Sequence, residues 1–339
     1  MAVAITRQAL RLAIVGDVHD EWDTEIDGRA LECLKPDLVL FTGDFGDENV
    51  DVVSDISQLN MSKAAILGNH DCWWSAGITA GKGPHRNAKY GDAVQAQLDF
   101  LGKSHVGYSR ADFPSMGLSV VGGRPGSGGG GHIGSSSLAK KKWNIKNMKQ
   151  SAERIIAQAL EAPADHALVF LAHNGPTGLG SDPSDICGKD WVLEGGDHGD
   201  PDLATALSQV KGTGKRNVPL VVFGHMHKHL QYNRGDRKMI IVGEDGSIYL
   251  NAAVVPRIRS PKAEGAESEI SSHESAIESL LGEVEAANWL NDEPNALPSE
   301  RNFTVVDLVD GEPQKIEEVW VKVTESDASL GEQTLLYSG

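Results

Sequence analysis

The chain of 339 residues is poor in cysteine, in basic residues and in long apolar runs. Its three cysteines cannot form a disulfide framework, so we expect reduced thiols in a reducing compartment. The 31 lysines and arginines are outnumbered by 48 aspartates and glutamates, and the net charge of −17 argues against binding of extended nucleic acid, which requires a basic face. Because no run of about 18 apolar residues occurs, a membrane span is not expected.

The first residues lack the layout of a signal peptide, since their apolar segment leads directly into Gly16-Asp17. We therefore expect a cytoplasmic protein, or a protein of the plastid stroma if a transit peptide has been removed. Hydrophobic residues make up 40% of the chain, which predicts a folded globular protein rather than disorder.

Short apolar runs bounded by polar or turn residues predict buried strands. They lie at 12–15, 38–41, 64–67, 167–171 and 220–223. Apolar residues at helical spacing lie between several of these runs, around residues 26–34, 94–101 and 148–159. Alternation of strands and helices predicts an α/β fold with parallel strand pairs.

Shorter apolar segments after residue 223 predict an antiparallel continuation of a sheet. They lie at 239–242, 248–250, 303–308 and 319–323. Residues 258–300, rich in Glu and Ser, interrupt them, and we expect an acidic helical insertion that is either a surface helix or a site for a protein partner. The predicted organisation is one domain at 1–257 and 301–325, this insertion, and a C-terminal tail at 326–339.

Each of the first-named apolar runs ends in residues that can bind a metal ion. These endings are Gly16-Asp17-Val18-His19, Gly43-Asp44, Gly68-Asn69-His70-Asp71, His173-Asn174 and Gly224-His225-Met226-His227. Ligands collect at the carboxyl ends of strands in α/β sheets, and residues i and i+2 of a strand share a face. Each motif alone is weak, but the ordered set predicts one shared metal site. Mixed imidazole and carboxylate ligands favour Mn, Fe, Zn, Co or Ni over Mg or Ca.

The order of these motifs over about residues 12–227 resembles the calcineurin-like metallophosphoesterase superfamily. The resemblance implies an α/β (α+β) fold, a four-layer sandwich of two mixed β-sheets flanked by helices. It also implies two divalent metal ions, with Mn favoured, that lower the pKa of a bound water so that hydroxide attacks phosphorus in line.

The resemblance also implies a role for each motif residue. The first ion would be bound by Asp17, His19 and His227, the second by Asn69, His173 and His225, and both by Asp44. His70 would contact the phosphate and protonate the leaving oxygen, and Asp71 would orient His70.

Departures from known branches narrow this expectation. The motifs GDVHD, GDFGDEN and GNHD differ from those of the protein Ser/Thr phosphatases, and Asp47 stands where purple acid phosphatases have a tyrosine ligand. Branches with GNHD and GHxH include cyclic-nucleotide phosphodiesterases, nucleotide pyrophosphatases and nucleases, and the acidic balance weighs against a nuclease. The run 250–257 resembles a cyanobacterial and plastid branch.

The expected function is therefore a phosphodiesterase or phosphatase that acts on a small phosphorylated substrate. A protein phosphatase and a non-catalytic metal-binding scaffold are the alternatives, and the scaffold is disfavoured because the motif histidines are all present. Arg124 and Trp74 are candidate substrate contacts, with a surface role and packing as the respective alternatives. The glycine-rich segment 122–137 is either an active-site loop or a plain surface loop, and Lys140–Lys142 are expected to be solvated rather than to bind phosphate.

Overall fold

A computed structural model describes residues 8–77, 88–261 and 297–339. Within these ranges the strands are β1 (Ala9–Val15), β2 (Leu38–Phe41), β3 (Lys63–Ala65), β4 (Arg110–Phe113), β5 (Leu118–Gly122), β6 (Ala167–Leu171), β7 (Leu220–Phe223), β8 (Ile240–Val242), β9 (Ile248–Asn251), β10 (Ile258–Arg259), β11 (Ser299–Val309), β12 (Glu312–Val323) and β13 (Ala328–Ser338). The α-helices are α1 (Thr24–Leu34), α2 (Val50–Ser57), α3 (Ala93–Leu101), α4 (Ser136–Trp143), α5 (Met148–Leu160) and α6 (Pro201–Gly212). None of these helices is both long enough and apolar enough to cross a membrane.

The strands form two mixed sheets. The first has the order β13-β12-β11-β1-β2-β3, with β10 beside β11, and its β1, β2 and β3 are parallel while β11 runs antiparallel to β1. The second has the order β4-β5-β6-β7-β9-β8, parallel in its centre and antiparallel at both edges. The predicted architecture of two mixed sheets is therefore confirmed.

Alternating side chains of β1 show how the layers stack. Ala13 and Val15 pack against residues of α1 and α2, whereas Leu12 and Ile14 pack against the second sheet. The opposite face of the second sheet is covered by α5 and α6. Burial of one large aliphatic side chain contributes roughly 1.5–3 kcal/mol to stability. Because both faces of the central strands are buried, the side chains on either face are apolar, and this explains the continuous apolar runs in the sequence. The result is the four-layer order helix, sheet, sheet, helix.

All the described α-helices except α6 begin at a residue whose side chain accepts a hydrogen bond from a first-turn amide. Asp23 accepts hydrogen bonds from the first-turn amides of α1, and Asn147 accepts one from the amide of Gln150 in α5. Such caps satisfy amide groups that have no partner within the helix. The helix α6 begins with Pro201, whose missing N–H costs nothing at that position.

The C-terminal end differs from the sequence prediction. Residues 326–339, predicted as a tail, contain β13, which pairs with β12 from Lys315 to Val323. The strand was missed because its apolar Leu330 and Leu335 are more than half exposed, so no buried alternating pattern marks it. The boundaries of the predicted insertion also shift, since 258–259 form β10 and 299–300 belong to β11. The helix predicted around 270–284 lies outside the described residues.

Candidate metal centre

The predicted metal ligands converge at the carboxyl ends of β1, β2, β6 and β7 and in the loop after β3. Ligand atoms lie within 4.8 Å of one another in three overlapping groups: Asp17, His19 and His227; His19, Asp44 and His70; Asp44, His173 and His225. Asp44 belongs to two of these groups, and its position therefore fits the bridging role that the sequence analysis expects.

The first group is held by short contacts between side chains of both sheets. The Nε2 atoms of His19 and His227 lie 3.1 Å apart. Nε2 of His227 lies 3.5 Å from Oδ2 of Asp17, and Nε2 of His19 lies 3.9 Å from Oδ2 of Asp44. The backbone amide of His225 donates to Asp17, which fixes the carboxylate against the loop after β7.

The second group brings two oxygen acceptors close to one nitrogen of His173, which would repel them in a neutral ring unless a proton or a cation lay between them. Nδ1 of His173 donates to the carbonyl oxygen of Thr42 at 2.8 Å, so the lone pair of the neutral ring lies on Nε2. That nitrogen is 3.3 Å from Oδ1 of Asp44 and 2.9 Å from Oδ1 of Asn69. Because two oxygen acceptors face a nitrogen acceptor in a buried place, the donor set fits a cation.

The pKa values of His173 and Asp44 also indicate that this group of side chains favours a positive charge. Burial acts to lower the pKa of His173, but the carboxylates of Asp44 and Asp17 and the hydrogen bond to Thr42 together outweigh it and raise that pKa to about 10. Burial acts to raise the pKa of Asp44, but His173, His70 and His19 together outweigh it and hold that pKa below its usual range. Burial lowers the pKa of His225 to about 3, which keeps its ring neutral and able to bind a metal ion. A proton on His173 therefore supplies charge that a divalent cation would supply in its place.

Backbone conformations that side chains rarely adopt place several of the ligands. The φ angles of His19, Asp44 and His225 are +44°, +50° and +68°. A non-glycine residue held in this left-handed region costs of order 1 kcal/mol, and such residues cluster at functional sites. Gly68 leaves the room these residues need, because a Cβ there would collide with the Asp44 carboxylate and with His173.

Asp71 does not occupy the place expected for it. Its carboxylate accepts from the backbone amides of Phe45 at 2.8 Å and Gly68 at 2.7 Å, so it joins the loops after β2 and β3. Nδ1 of His70 instead lies 2.6 Å from Oδ1 of Asp47. Asp47 is therefore the residue that orients His70, and its position three residues after Asp44 was the only signal of it in the sequence.

The two candidate substrate contacts have different outcomes. Arg124 is 3% exposed and binds the buried carboxylates of Asp200 and Asp202, so it is a structural residue and the prediction of a substrate contact is wrong. A buried guanidinium of this kind is held by its partners and cannot reach solvent. Trp73, the neighbour of Trp74, stacks on His70 with ring centroids 4.3 Å apart and 12° between planes. For Trp74 substrate contact stays a prediction.

The glycine-rich segment packs beside the site rather than forming a plain surface loop. Ser127 pairs with Gly68 and donates its hydroxyl to Asp200. Lys141 and Lys142 form ion pairs with Asp92. Lys141 is exposed as expected, whereas the side chain of Lys142 is only 4% exposed and is therefore not solvated as predicted.

His198 is a residue at the site that the sequence analysis missed. Its ring stacks on His225 with centroids 5.8 Å apart, and its Nε2 lies 2.8 Å from the carbonyl oxygen of Gly128. It follows no apolar run and belongs to no motif, so no signal in the sequence marked it.

Comparison with known proteins identifies the family. Residues 10–229 match the family model of the calcineurin-like phosphoesterases. A dimetal phosphatase from Danio rerio is 10% identical with a TM-score of 0.44, covering 95% of this chain and 98% of that one. The phosphopantetheinyl hydrolase of Mycobacterium tuberculosis is 15% identical with a TM-score of 0.40, covering 72% of this chain and 88% of that one. No curated protein matches the chain significantly. The family model spans more than half of the sequence, and the chain is therefore a member of the calcineurin-like phosphoesterase family and a metal-dependent phosphoesterase.

Proposed function

We propose that the protein hydrolyses phosphate esters of small molecules with two divalent metal ions, preferably Mn²⁺. The observation that carries the proposal is the pair of ligand groups joined through Asp44, with His70 at their edge. Asp17, His19 and His227 would hold one ion, Asn69, His173 and His225 the other. Bound cations of this kind neutralise phosphate oxygens and lower the pKa of a bound water.

We expect His70 to give a proton to the leaving oxygen, and its contacts support this role. Its ring lies edge-on to His19, with centroids 4.9 Å apart, and its backbone amide donates to Asp44 at 2.9 Å. Since Asp47 engages Nδ1, Nε2 is the nitrogen left to face a substrate. Stacking on Trp73 limits rotation of the ring, so the proton is held at a defined place.

A small substrate is favoured over a phosphoprotein by the motif departures described above and by the acidity of the chain. The net charge of −17 repels acidic protein surfaces as well as nucleic acid at long range. A small phosphate ester can still enter, because bound cations reverse the field locally.

The test compares hydrolysis of nitrophenyl phosphate with hydrolysis of bis-nitrophenyl phosphate. The metal-stripped protein is reloaded with Mn²⁺, Zn²⁺ or Mg²⁺, and Asp44→Asn runs beside the wild type. We expect turnover that is highest with Mn²⁺ and is reduced at least about 100-fold in Asp44→Asn, because loss of a bridging ligand affects both ions. Asp165→Asn, a change at an exposed aspartate of the loop before β6, serves as the control and should match the wild type.

The two esters separate the outcomes. Cleavage of the diester identifies a phosphodiesterase, and cleavage of the monoester alone identifies a phosphatase of small phosphorylated metabolites. If metal analysis finds both ions bound while neither these esters nor a panel of phosphorylated metabolites is cut, the proposal is overturned in favour of a metal-binding scaffold.

A further inference from the structure

A loop of 29 residues, 172–200, connects β6 to α6 and borders the metal centre. His198 in this loop stacks on His225, with 25° between the ring planes. Trp191 in turn meets His198 edge-on, with centroids 4.8 Å apart and 85° between planes. A row of three rings therefore leads from a predicted metal ligand to an indole at the rim of the site.

One buried arginine holds residues 183–188 of this loop, which we call its base. The guanidinium of Arg237, 1% exposed, donates to the backbone carbonyls of Pro183, Asp185 and Gly188. Its Nε also donates to the carbonyl oxygen of His227 at 3.0 Å. Arg237 therefore joins residues 183–188 of the loop to the segment after β7 that carries His227.

The tip of the loop exposes apolar side chains. Trp191 is 42% exposed, Val192 36% and Leu193 85%. Tyr232, 79% exposed, lies on the neighbouring loop, whose Gln231 amide donates to Asp190 at 3.0 Å. Exposed apolar and aromatic residues on two loops that are bonded to each other beside a catalytic site are typical of a ligand-binding surface.

We propose that the tip, residues 191–193, together with Tyr232, forms a subsite for a planar aromatic or heteroaromatic group esterified to phosphate. The inference rests on the proposed function and adds the substrate class. Two ring-to-ring steps, 5.8 Å and 4.8 Å, separate Trp191 from His225, a span that a nucleoside monophosphate covers.

A ring is the favoured occupant because the proposed subsite contains the indole of Trp191 and the phenol of Tyr232. An extended peptide would be bound more readily by charged side chains. Arg234 lies over the Tyr232 ring at 5.5 Å and places a cation next to this surface, which suits an anionic ester. Stacking on aromatic side chains tolerates different bases, since every base has a π-face.

The experiment compares an aromatic ester with an aliphatic one in the Mn²⁺-loaded enzyme. Adenosine monophosphate and glycerol phosphate are assayed with the wild type, Trp191→Ala and Trp191→Phe. We expect Trp191→Ala to raise KM for adenosine monophosphate roughly tenfold, the scale of one lost stacking contact, with kcat and glycerol phosphate hydrolysis unchanged. Trp191→Phe should restore most of the loss. Leu335→Ala, at a leucine on β13 that is 57% exposed and lies outside the proposed subsite, is the control.

A second measurement does not depend on turnover. Adenosine is titrated into the metal-stripped protein while tryptophan fluorescence is recorded. We expect quenching in the wild type and in Leu335→Ala, and none in Trp191→Ala. The kinetic measurement would overturn the subsite if Trp191→Ala changed KM equally for the two esters or changed it for neither. The fluorescence measurement would overturn it if quenching by adenosine remained in Trp191→Ala.

The results also separate this inference from the proposed function. Turnover of both esters with no effect of Trp191→Ala keeps the hydrolase and overturns the subsite. Quenching that needs Trp191 in a protein that cuts neither ester keeps the ring-binding site and overturns hydrolysis. A loss in Trp191→Ala confined to phosphopeptide substrates would show that the tip binds peptides, and would also overturn the inference.

Discussion

Asp71 follows His70 directly in the sequence, whereas Asp47 stands 23 residues before it, yet Asp47 is the one that contacts the imidazole. Asp47 contacts the imidazole, whereas Asp71 is buried and binds two backbone amides. Burial and the nearby Asp44 raise the pKa of Asp71 well above its usual range, against the effect of its amide partners. The orientation of His70 therefore depends on a partly exposed carboxylate and not on the buried one.

Replacement of Asp47 by Asn should slow the enzyme in a way that depends on the leaving group. We expect kcat for an aliphatic phosphate ester to fall about 10–100-fold, the range seen when a residue that orients a functional imidazole is removed. For a nitrophenyl ester the fall should be smaller, because nitrophenolate leaves without a proton. The check is kcat for both esters together with metal content by atomic emission.

Two outcomes would contradict this interpretation of Asp47. An equal fall for both esters would mean that the carboxylate does not act through proton transfer. Loss of metal from Asp47→Asn would mean that it supports the ligands instead. Asp165→Asn, the control used above, should leave both rates and the metal content unchanged.

The residues that the sequence could predict are those placed directly by a strand. Asp17 and His225 each come within two residues of a continuous apolar run, so position along the chain specifies position in space. The positions of His198 and Asp47 are instead set by loops and by contacts with residues far along the chain. His198 contacts Gly128, and Asp47 contacts His70. Local pattern carries no information about such contacts.

At the level of elements, β13 is the largest departure from expectation. It covers the outer edge of β12, and Glu332 on it pairs with Arg259 of β10 at 2.8 Å. The guanidinium of Arg259 lies over the ring of Trp320 at 3.8 Å. The strand therefore belongs to the sheet and to the packing around β10.

Deletion of residues 326–339 should destabilise the protein. The change would leave the N–H and C=O groups along β12 unpaired and would expose apolar surface, so we expect a loss of a few kcal/mol in the free energy of unfolding and a tendency to aggregate. Urea unfolding and light scattering measure both effects. Glu332→Gln in the full chain separates loss of the ion pair from loss of the strand. An unchanged urea midpoint would restore the interpretation of this segment as a tail.

The elements most readable from the sequence are the central parallel strands. Both faces of β2, β6 and β7 are buried, so these strands appear as unbroken apolar runs. In β12 polar residues alternate with apolar ones over its first half, and only 319–323 were predicted. The helix α6 was missed although its Leu203, Leu207 and Val210 have helical spacing, so in that case the signal was present.

For the whole molecule, the candidate metal centre is the place where side chains from both sheets could bind the same ions. Asp17 and Asp44 follow strands of the first sheet, and His173 and His225 follow strands of the second. Cations bound there would join the sheets through ligands of both, so we expect metal binding to stabilise the fold.

Removal of metal should lower the thermal stability of the intact protein. With Mn²⁺ at about 100–1,000 times its dissociation constant, binding to the folded state alone adds roughly 3–4 kcal/mol, so we expect Tm to fall on chelation and to recover on reloading. Thermal unfolding followed by circular dichroism, with chelator and with Mn²⁺, gives the measurement. Asp44→Asn should show a smaller difference between the two conditions. Equal Tm values for the wild type in both conditions would exclude a structural contribution from the site.

Arg237 holds the base of the loop 172–200 by hydrogen bonds to main-chain carbonyl groups, which every amino acid possesses. At the tip, the exposed side chains of Val192 and Leu193 contribute neither to these bonds nor to the row of rings, so we expect mutation to exchange them without disturbing the ligands. An ancestral enzyme with this arrangement could change its preferred substrate in single steps while hydrolysis continued at each one. The same property makes residues 192 and 193 the positions where we expect a laboratory library to find new specificities with the fewest inactive clones.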